Sequence, residues 1–178
     1  MLLQTFTYDA EYWNNTVAYN KDGGTSLNDE ETKLSSFWST PFSRLCLGMK
    51  DELGETNWIT LSYVGSSLRD VIGNGTSKAT HLNPTEWTKL LRLAVNNSRI
   101  QVRCTFQGFN IRDGSIFDNG AKARIGIIGT PNTCDETAQS RIGFGTAGSY
   151  YGQTEGNSCG NEKKKELSIK AFGYIFVQ

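Results

Sequence analysis

The feature that most constrains this chain is a set of three long stretches in its second half, residues 107–121, 130–140 and 146–168. They are dense in Gly, Asn, Ser and acidic residues and separate short strand-like runs. Irregular segments this long inside a compact domain are usually functional or stapled. Three of the four cysteines, Cys104, Cys134 and Cys159, lie in or beside them; the fourth is Cys46. No two are spaced as a Cys-x-x-Cys pair, and the single His, His81, is near none of them, so zinc-ligand spacing is absent. An even count without metal spacing favours two disulfides. Four cysteines allow three pairings, and spacing alone does not choose among them.

Disulfides imply an oxidising compartment. Three sequons agree with that: Asn14-Asn15-Thr16, Asn74-Gly75-Thr76 and Asn96-Asn97-Ser98. The opening Met1-Leu2-Leu3-Gln4-Thr5-Phe6-Thr7-Tyr8 has neither a charged n-region nor an h-region. The expectation is therefore a secreted, extracellular protein whose signal has been removed, or a fragment of one.

Length and charge narrow the class. The 178 residues make one domain, 1–178, large enough to bury roughly 70% of its unfolded surface. Eighteen basic residues balance eighteen acidic ones. Without a basic excess the main term in non-specific nucleic-acid binding is missing, so no nucleic acid is expected as a partner. No apolar run approaches the length of a membrane helix, so no membrane insertion is expected. Nineteen Gly against three Pro indicate many tight turns.

Local signals give a coarse order of elements. A short strand and then a polar aromatic stretch are expected over residues 4–20, and a turn at Asp22-Gly23-Gly24. Asn28 with Glu31 resembles a capping box, opening a helix through Leu34 toward Trp38. Strands are expected at Arg44–Lys50 and Trp58–Tyr63 around a turn at Gly54, then a helical turn at Ser67–Ile72. The strongest helix begins at Asn83 as cap, with Pro84 at the first position and Glu86 completing the box. Trp87, Leu90, Leu91, Ala94 and Val95 recur on one face of it. Strands follow at Ile100–Cys104, Ala123–Gly129, Arg141–Gly145 and Ile169–Gln178.

No nucleophile elbow, phosphate loop or His-Glu-x-x-His element is present. A hydrolase triad would have to use His81, which has no acidic neighbour within four residues. The expectation is that the chain is not an enzyme. Oxygen-rich loops leave calcium chemistry, because calcium takes six to eight oxygens from carboxylates, amides, carbonyls and water. Candidate donors are Asp113, Asp118, Asn119, Asp135, Glu136, Glu155, Asn157, Asn161 and Glu162. No EF-hand spacing organises them, and the competing reading is a set of solvated polar loops.

The order of motifs carries a family resemblance. Tyr12-Trp13-Asn14-Asn15, Glu31-Thr32-Lys33-Leu34 and Phe37-Trp38-Ser39-Thr40-Pro41-Phe42 lead into Cys46-Leu47-Gly48-Met49-Lys50. Ala123-Arg124-Ile125-Gly126-Ile127-Ile128-Gly129 precedes Cys134-Asp135 and Arg141-Ile142-Gly143-Phe144-Gly145. Cys159-Gly160-Asn161 and Ile169–Ile175 close the series. The chain resembles the fibrinogen-related domain in its intelectin-like branch. It is similar to fibrinogen-like modules of cnidarian extracellular proteins, including skeletal organic matrix proteins of stony corals.

That resemblance implies an α+β fold of the fibrinogen C-terminal type, with a central antiparallel sheet, short helices and a loop-rich C-terminal lobe. The Gly-Gly-Trp-Thr strand with which members begin has no counterpart before Phe6, which implies that the most N-terminal strand is lacking. By analogy, Cys104 pairs with Cys134, leaving Cys46 for Cys159. The implied function is an extracellular recognition domain binding a glycan or glycoprotein, lectin-like, with calcium in the C-terminal loops. The alternative is a structural extracellular matrix protein with no sugar pocket. Asp135 and Glu155 match calcium-ligand positions, with Glu136, Asn157 and Asn161 as further metal candidates. The calcium-bound His has no counterpart in Glu136-Thr137-Ala138-Gln139, and Lys163–Lys165 replaces an aromatic wall. Tyr150 and Tyr151 are the substitute ligand-binding wall. A homo-oligomer is compatible with this reading.

Overall fold

A computed structural model describes residues 5–51, 53–91, 100–113, 120–148, 158–161 and 169–178, without the side chains of 24, 25, 158–161, 169 and 170. The described chain is sheet-rich with few short helices, and its strand pairings are antiparallel, which agrees with the α+β expectation. Among the described residues there are three α-helices: α1 Ser36–Ser39, α2 Leu68–Ile72 and α3 Pro84–Thr88. The strands among the described residues are β1 Phe42–Lys50, β2 Thr56–Gly65, β3 Lys78–Ala79, β4 Cys104–Arg112, β5 Lys122–Thr130, β6 Ser140–Ala147, β7 Ser158–Asn161, β8 Ile169–Lys170 and β9 Phe172–Val177. One sheet has the order β2-β1-β9 and the other β3-β4-β5-β6-β7-β8.

The smaller sheet follows directly from alternation. Leu45, Leu47 and Met49 on β1 and Ile59 and Leu61 on β2 are buried on one face. Side chains one residue out of phase must point to the other face. Gly54, at φ +82°, makes the tight connection between these strands. The larger sheet is buried more deeply, and all eight residues of β6 are buried. Its centre is narrow because Gly108, Gly126 and Gly143 stand opposite one another across β4, β5 and β6. A Cβ on Gly126 would come 2.8 Å from the Cα of Gly143, so the row has no room for side chains.

Both sheets share one core. Leu45 and Leu47 of β1 join Trp87, Leu90 and Leu91 after β3 and Ile125 and Phe144 of β5 and β6 in a single cluster. Trp87 on α3 and Leu90 and Leu91 in the turn after it are therefore core, as their spacing predicts, but the α-helix itself ends at Thr88, shorter than expected. Asn83 Oδ1 accepts from the Thr85 amide at 3.0 Å, so Asn83 is the cap. The second half of the expected box is not formed: Glu86 pairs instead with Lys89, 2.5 Å away. Ala94 and Val95 lie outside the described residues.

Three expectations are corrected. The helix from Asn28 toward Trp38 is reduced to α1. Lys33 bridges to Tyr19 in an extended segment, and the Glu31 carboxylate accepts from the Thr5 amide at 3.0 and 3.2 Å instead of capping a helix. The strand expected at Ile100–Cys104 begins at Cys104 and runs through part of the expected loop. Residues 5–10 form turns, and Glu11–Trp13 a 3-10 turn, where a short strand was expected.

Candidate functional site

Alternation puts Cys46, Gly48 and Lys50 of β1 on the outward face of the small sheet. On the same face lie Trp58 of β2 and Phe172, Tyr174 and Phe176 of β9. Register sets Gly48 between Trp58 on one side and Tyr174 on the other. The Trp58 ring meets Phe176 at 5.7 Å between centroids and 29° between planes. It meets Tyr174 at 5.7 Å and 32°, and Tyr174 meets Phe172 at 5.1 Å. Most aromatic residues of a folded chain are buried. Here Trp58 is 38% exposed and Phe176 44%.

A polar group is fixed at the end of this row. Lys50 Nζ donates to Asp29 Oδ2 at 2.7 Å, and the Tyr174 hydroxyl donates to Asp29 Oδ1 at 2.8 Å. Those two bonds hold the Asp29 carboxyl below the usual carboxylate range, Lys50 contributing more. Burial, and then its bond to Asp29, raise Tyr174 to about 12. At neutral pH the network is therefore a carboxylate, an ammonium and a neutral phenol.

Beyond β9 the row opens into a cleft of about 820 Å3. Its floor is β9 and its far wall is the segment before α1, which contributes Tyr12, Tyr19, Glu31 and Lys33. Lys33 is buried, and its ammonium donates to Asn15 O at 2.8 Å and Asn15 Oδ1 at 2.7 Å. Phe37, Trp38 and Tyr12 surround it, with ring centroids 4.8, 5.5 and 5.7 Å away. Burial pushes its pKa down to about 8. Lys33 thus anchors this wall as a cation held by an amide and π-faces.

No protein-family model, curated protein or solved structure matches this chain. The site is therefore read from its own geometry.

The predicted site residues divide. Cys104 and Cys134 form a disulfide, with Cα atoms 5.3 Å apart. Cys46 is a free thiol, so its expected bridge to Cys159 is not formed. Cys46 lies mid-strand between Thr60 and Phe176 on the outward face of the small sheet, turned away from the core shared with the large sheet, to which the β7 of Cys159 belongs. Tyr150, Tyr151, Glu155 and Asn157 lie outside the described residues, as do Asp118, Asn119 and Glu162. Asn161 pairs with Ser140 in the β6–β7 ladder.

Asp135 is exposed, and both carboxylate oxygens of neighbouring Glu136 lie 3.1 Å from Asn132 Nδ2. Asp113 is buried and accepts from the Ala138 amide at 2.5 Å. No cluster of three or more His, Cys, Asp or Glu side chains occurs among the described residues. Asp135 and Glu136 alone do not fit a calcium ion, which needs six to eight converging oxygens. His81 is exposed, with no hydrogen bond or ion pair among the described residues.

The aromatic row is the feature that sequence reasoning missed. Its signal was present: Phe172-x-Tyr174-x-Phe176 alternates with Gly173, Ile175 and Val177. Aromatics on every second residue of a half-buried strand share one face.

Proposed function

We propose that this chain is an extracellular recognition domain of fibrinogen-related, intelectin-like type that binds a glycan or glycoprotein. The observation that carries the reading is the Trp58–Phe176 pair, near-parallel at 5.7 Å on an open sheet face. Aromatic π-faces take up the apolar C–H side of a sugar ring, and a polar tip beside them satisfies hydroxyls. Tyr174 supplies both, since its ring belongs to the row and its hydroxyl to the Asp29–Lys50 network.

Calcium belongs to the proposal as a separate element, bound in the C-terminal loops by Asp135, Glu136, Glu155, Asn157 and Asn161. It rests on the family resemblance alone, and no step of recognition at the aromatic face passes through it. Secretion rests on the sequons and on the Cys104–Cys134 bridge, which suits an oxidising compartment.

A glycan array probed with wild type and with Trp58→Ala, each with calcium and with chelator, tests the reading. Binding that is lost in Trp58→Ala and retained in chelator assigns recognition to the aromatic face. Binding lost only in chelator moves recognition to the calcium loops. A blank array under all conditions leaves the structural matrix role, without a sugar pocket, as the reading to adopt.

A further inference from the structure

We infer that the ligand of the aromatic face is a neutral polysaccharide chain lying flat across β9, β1 and β2, and not a terminal sugar or an anionic glycan. The inference rests on the glycan reading above and specifies its ligand class.

Flatness comes from Gly48. A Cβ there would come 2.5 Å from Trp58 Cε3, so only a glycine lets the indole lie down over β1. The ring then reaches from its own strand to Tyr174 and Phe176 on β9, two strands away. Neighbouring strands are about 4.8 Å apart, so the platform spans about 10 Å. That exceeds one sugar ring and suits at least two consecutive ones. A chain with equatorial linkages keeps successive C–H faces in one plane, as this surface requires.

Neutrality comes from charge. At the Tyr174 end of the platform Asp29 and Lys50 neutralise each other at 2.7 Å, and at the Phe176 end Arg44 is an exposed cation on the same face. The adjoining cleft is lined by four carboxylates, Asp29, Glu30, Glu31 and Asp51, against the ammonium groups of Lys33 and Lys50. Lys33 is buried and bonded to Asn15, so it offers little to a ligand at the face. A uronate or sulfate arriving here would meet like charge, which disfavours it. Sugar hydroxyls instead find an acceptor at Asp29 and a donor at Lys50 whose positions are already fixed.

Affinity electrophoresis of the full chain in gels containing one soluble polymer tests this. Hydroxyethylcellulose and xyloglucan are the neutral probes, alginate and heparin the anionic ones, all in chelator. Retardation is expected in the neutral gels and not in the anionic ones. Trp58→Ala and Phe176→Ala should each weaken it by at least about tenfold, with thermal melting confirming that both variants fold. Retardation only by anionic polymers, or neutral retardation that survives both substitutions, overturns the inference and leaves the glycan reading standing. Array binding without retention by the neutral polymers has the same consequence. No binding to any polymer together with a blank array fails both. Self-association in light scattering that disappears in Trp58→Ala gives the face to a second copy of the chain and overturns the inference.

Discussion

Asn110 Oδ1 accepts from Arg124 Nη1 at 2.8 Å, joining two strands at a position where their ladder is interrupted. The β4–β5 pairing skips Asn110 and Arg124, and the β5–β6 pairing skips Arg124 and Gly145. Both flanking residues have positive φ, 50° at Asn110 and 55° at Gly145. The irregular row frees polar groups for other partners. Asn110 Nδ2 donates to Ile72 O at 2.8 Å and Thr76 O at 3.0 Å. Arg124 Nε donates to Tyr8 O at 2.6 Å, and its guanidinium sits 4.5 Å from the Tyr8 ring centre. One interruption in the large sheet thus ties down both α2 and the N-terminal segment.

Asn110→Ala removes three hydrogen bonds from a buried site and keeps a Cβ in left-handed backbone. The expected cost is about 2–4 kcal/mol in urea melts. Asn110→Gly loses the same bonds but relieves the backbone, and should be about 1 kcal/mol more stable than the alanine variant. Equal midpoints for the two would mean that the left-handed backbone carries no strain.

Lys33 sets a pH dependence. Its folded pKa is pushed down to about 8 from an ordinary 10.5. As pH rises, the folded chain loses this proton before the unfolded chain does. Across that window the unfolded state holds more protons, so stability rises with pH. The gain from this residue should be on the order of 2 kcal/mol between pH 7 and pH 10. It is read as the difference between wild type and Lys33→Met, because other lysines and tyrosines titrate in both. Parallel stability curves for the two proteins would refute it.

How much of this was legible in the sequence follows from what each signal measures. Strands β1, β2, β5 and β6 and the buried positions Trp87, Leu90 and Leu91 were readable because burial on one side or both leaves a periodic or continuous apolar pattern. Strand β4 was hidden by Gly108 and Asn110, which look like loop residues. They are strand residues at positive φ, and their partners Ala79, Ile72 and Arg124 are distant in sequence. The aromatic row was missed for a related reason. Trp58 and Phe176 are 118 positions apart, and only the register across Gly48 brings them together. The Asn28–Glu31 pair misled because capping residues also serve as ordinary hydrogen-bond partners when a tertiary contact is stronger.

Leu91 tests the buried stripe directly. It is 2% exposed and belongs to the shared core. Leu91→Ala should cost roughly 2–5 kcal/mol. A loss under about 1 kcal/mol would mean that the cavity collapses or that the site is looser than its burial implies.

The Cys104–Cys134 bridge joins the start of β4 to the turn after β5, closing a loop with a sequence separation of 30. Replacing both with Ser should cost roughly 3–4 kcal/mol, and reductant should then leave the melting temperature unchanged. Cys46→Ser should leave the reductant sensitivity of the wild type intact, because Cys46 is a free thiol. Loss of that sensitivity in Cys46→Ser would place the structural bridge elsewhere.

Gly48 and Trp58 should be energetically coupled. In the wild type, Gly48→Ala drives a methyl against the indole, with Trp58 Cη2 2.7 Å from the new Cβ. Trp58 is partly exposed, so its ring can lift away from β1 instead of forcing the backbone apart. The cost should therefore be moderate, about 1–2 kcal/mol, with a change in tryptophan fluorescence as the ring leaves Tyr174 and Phe176. In a Trp58→Ala background the clash is gone, and alanine is a better strand residue than glycine. There the same substitution should be neutral or stabilising. A double-mutant cycle should give a coupling of about 1 kcal/mol or more. Additive effects would mean that the indole does not rest on Gly48, and the flat platform would lose its structural basis.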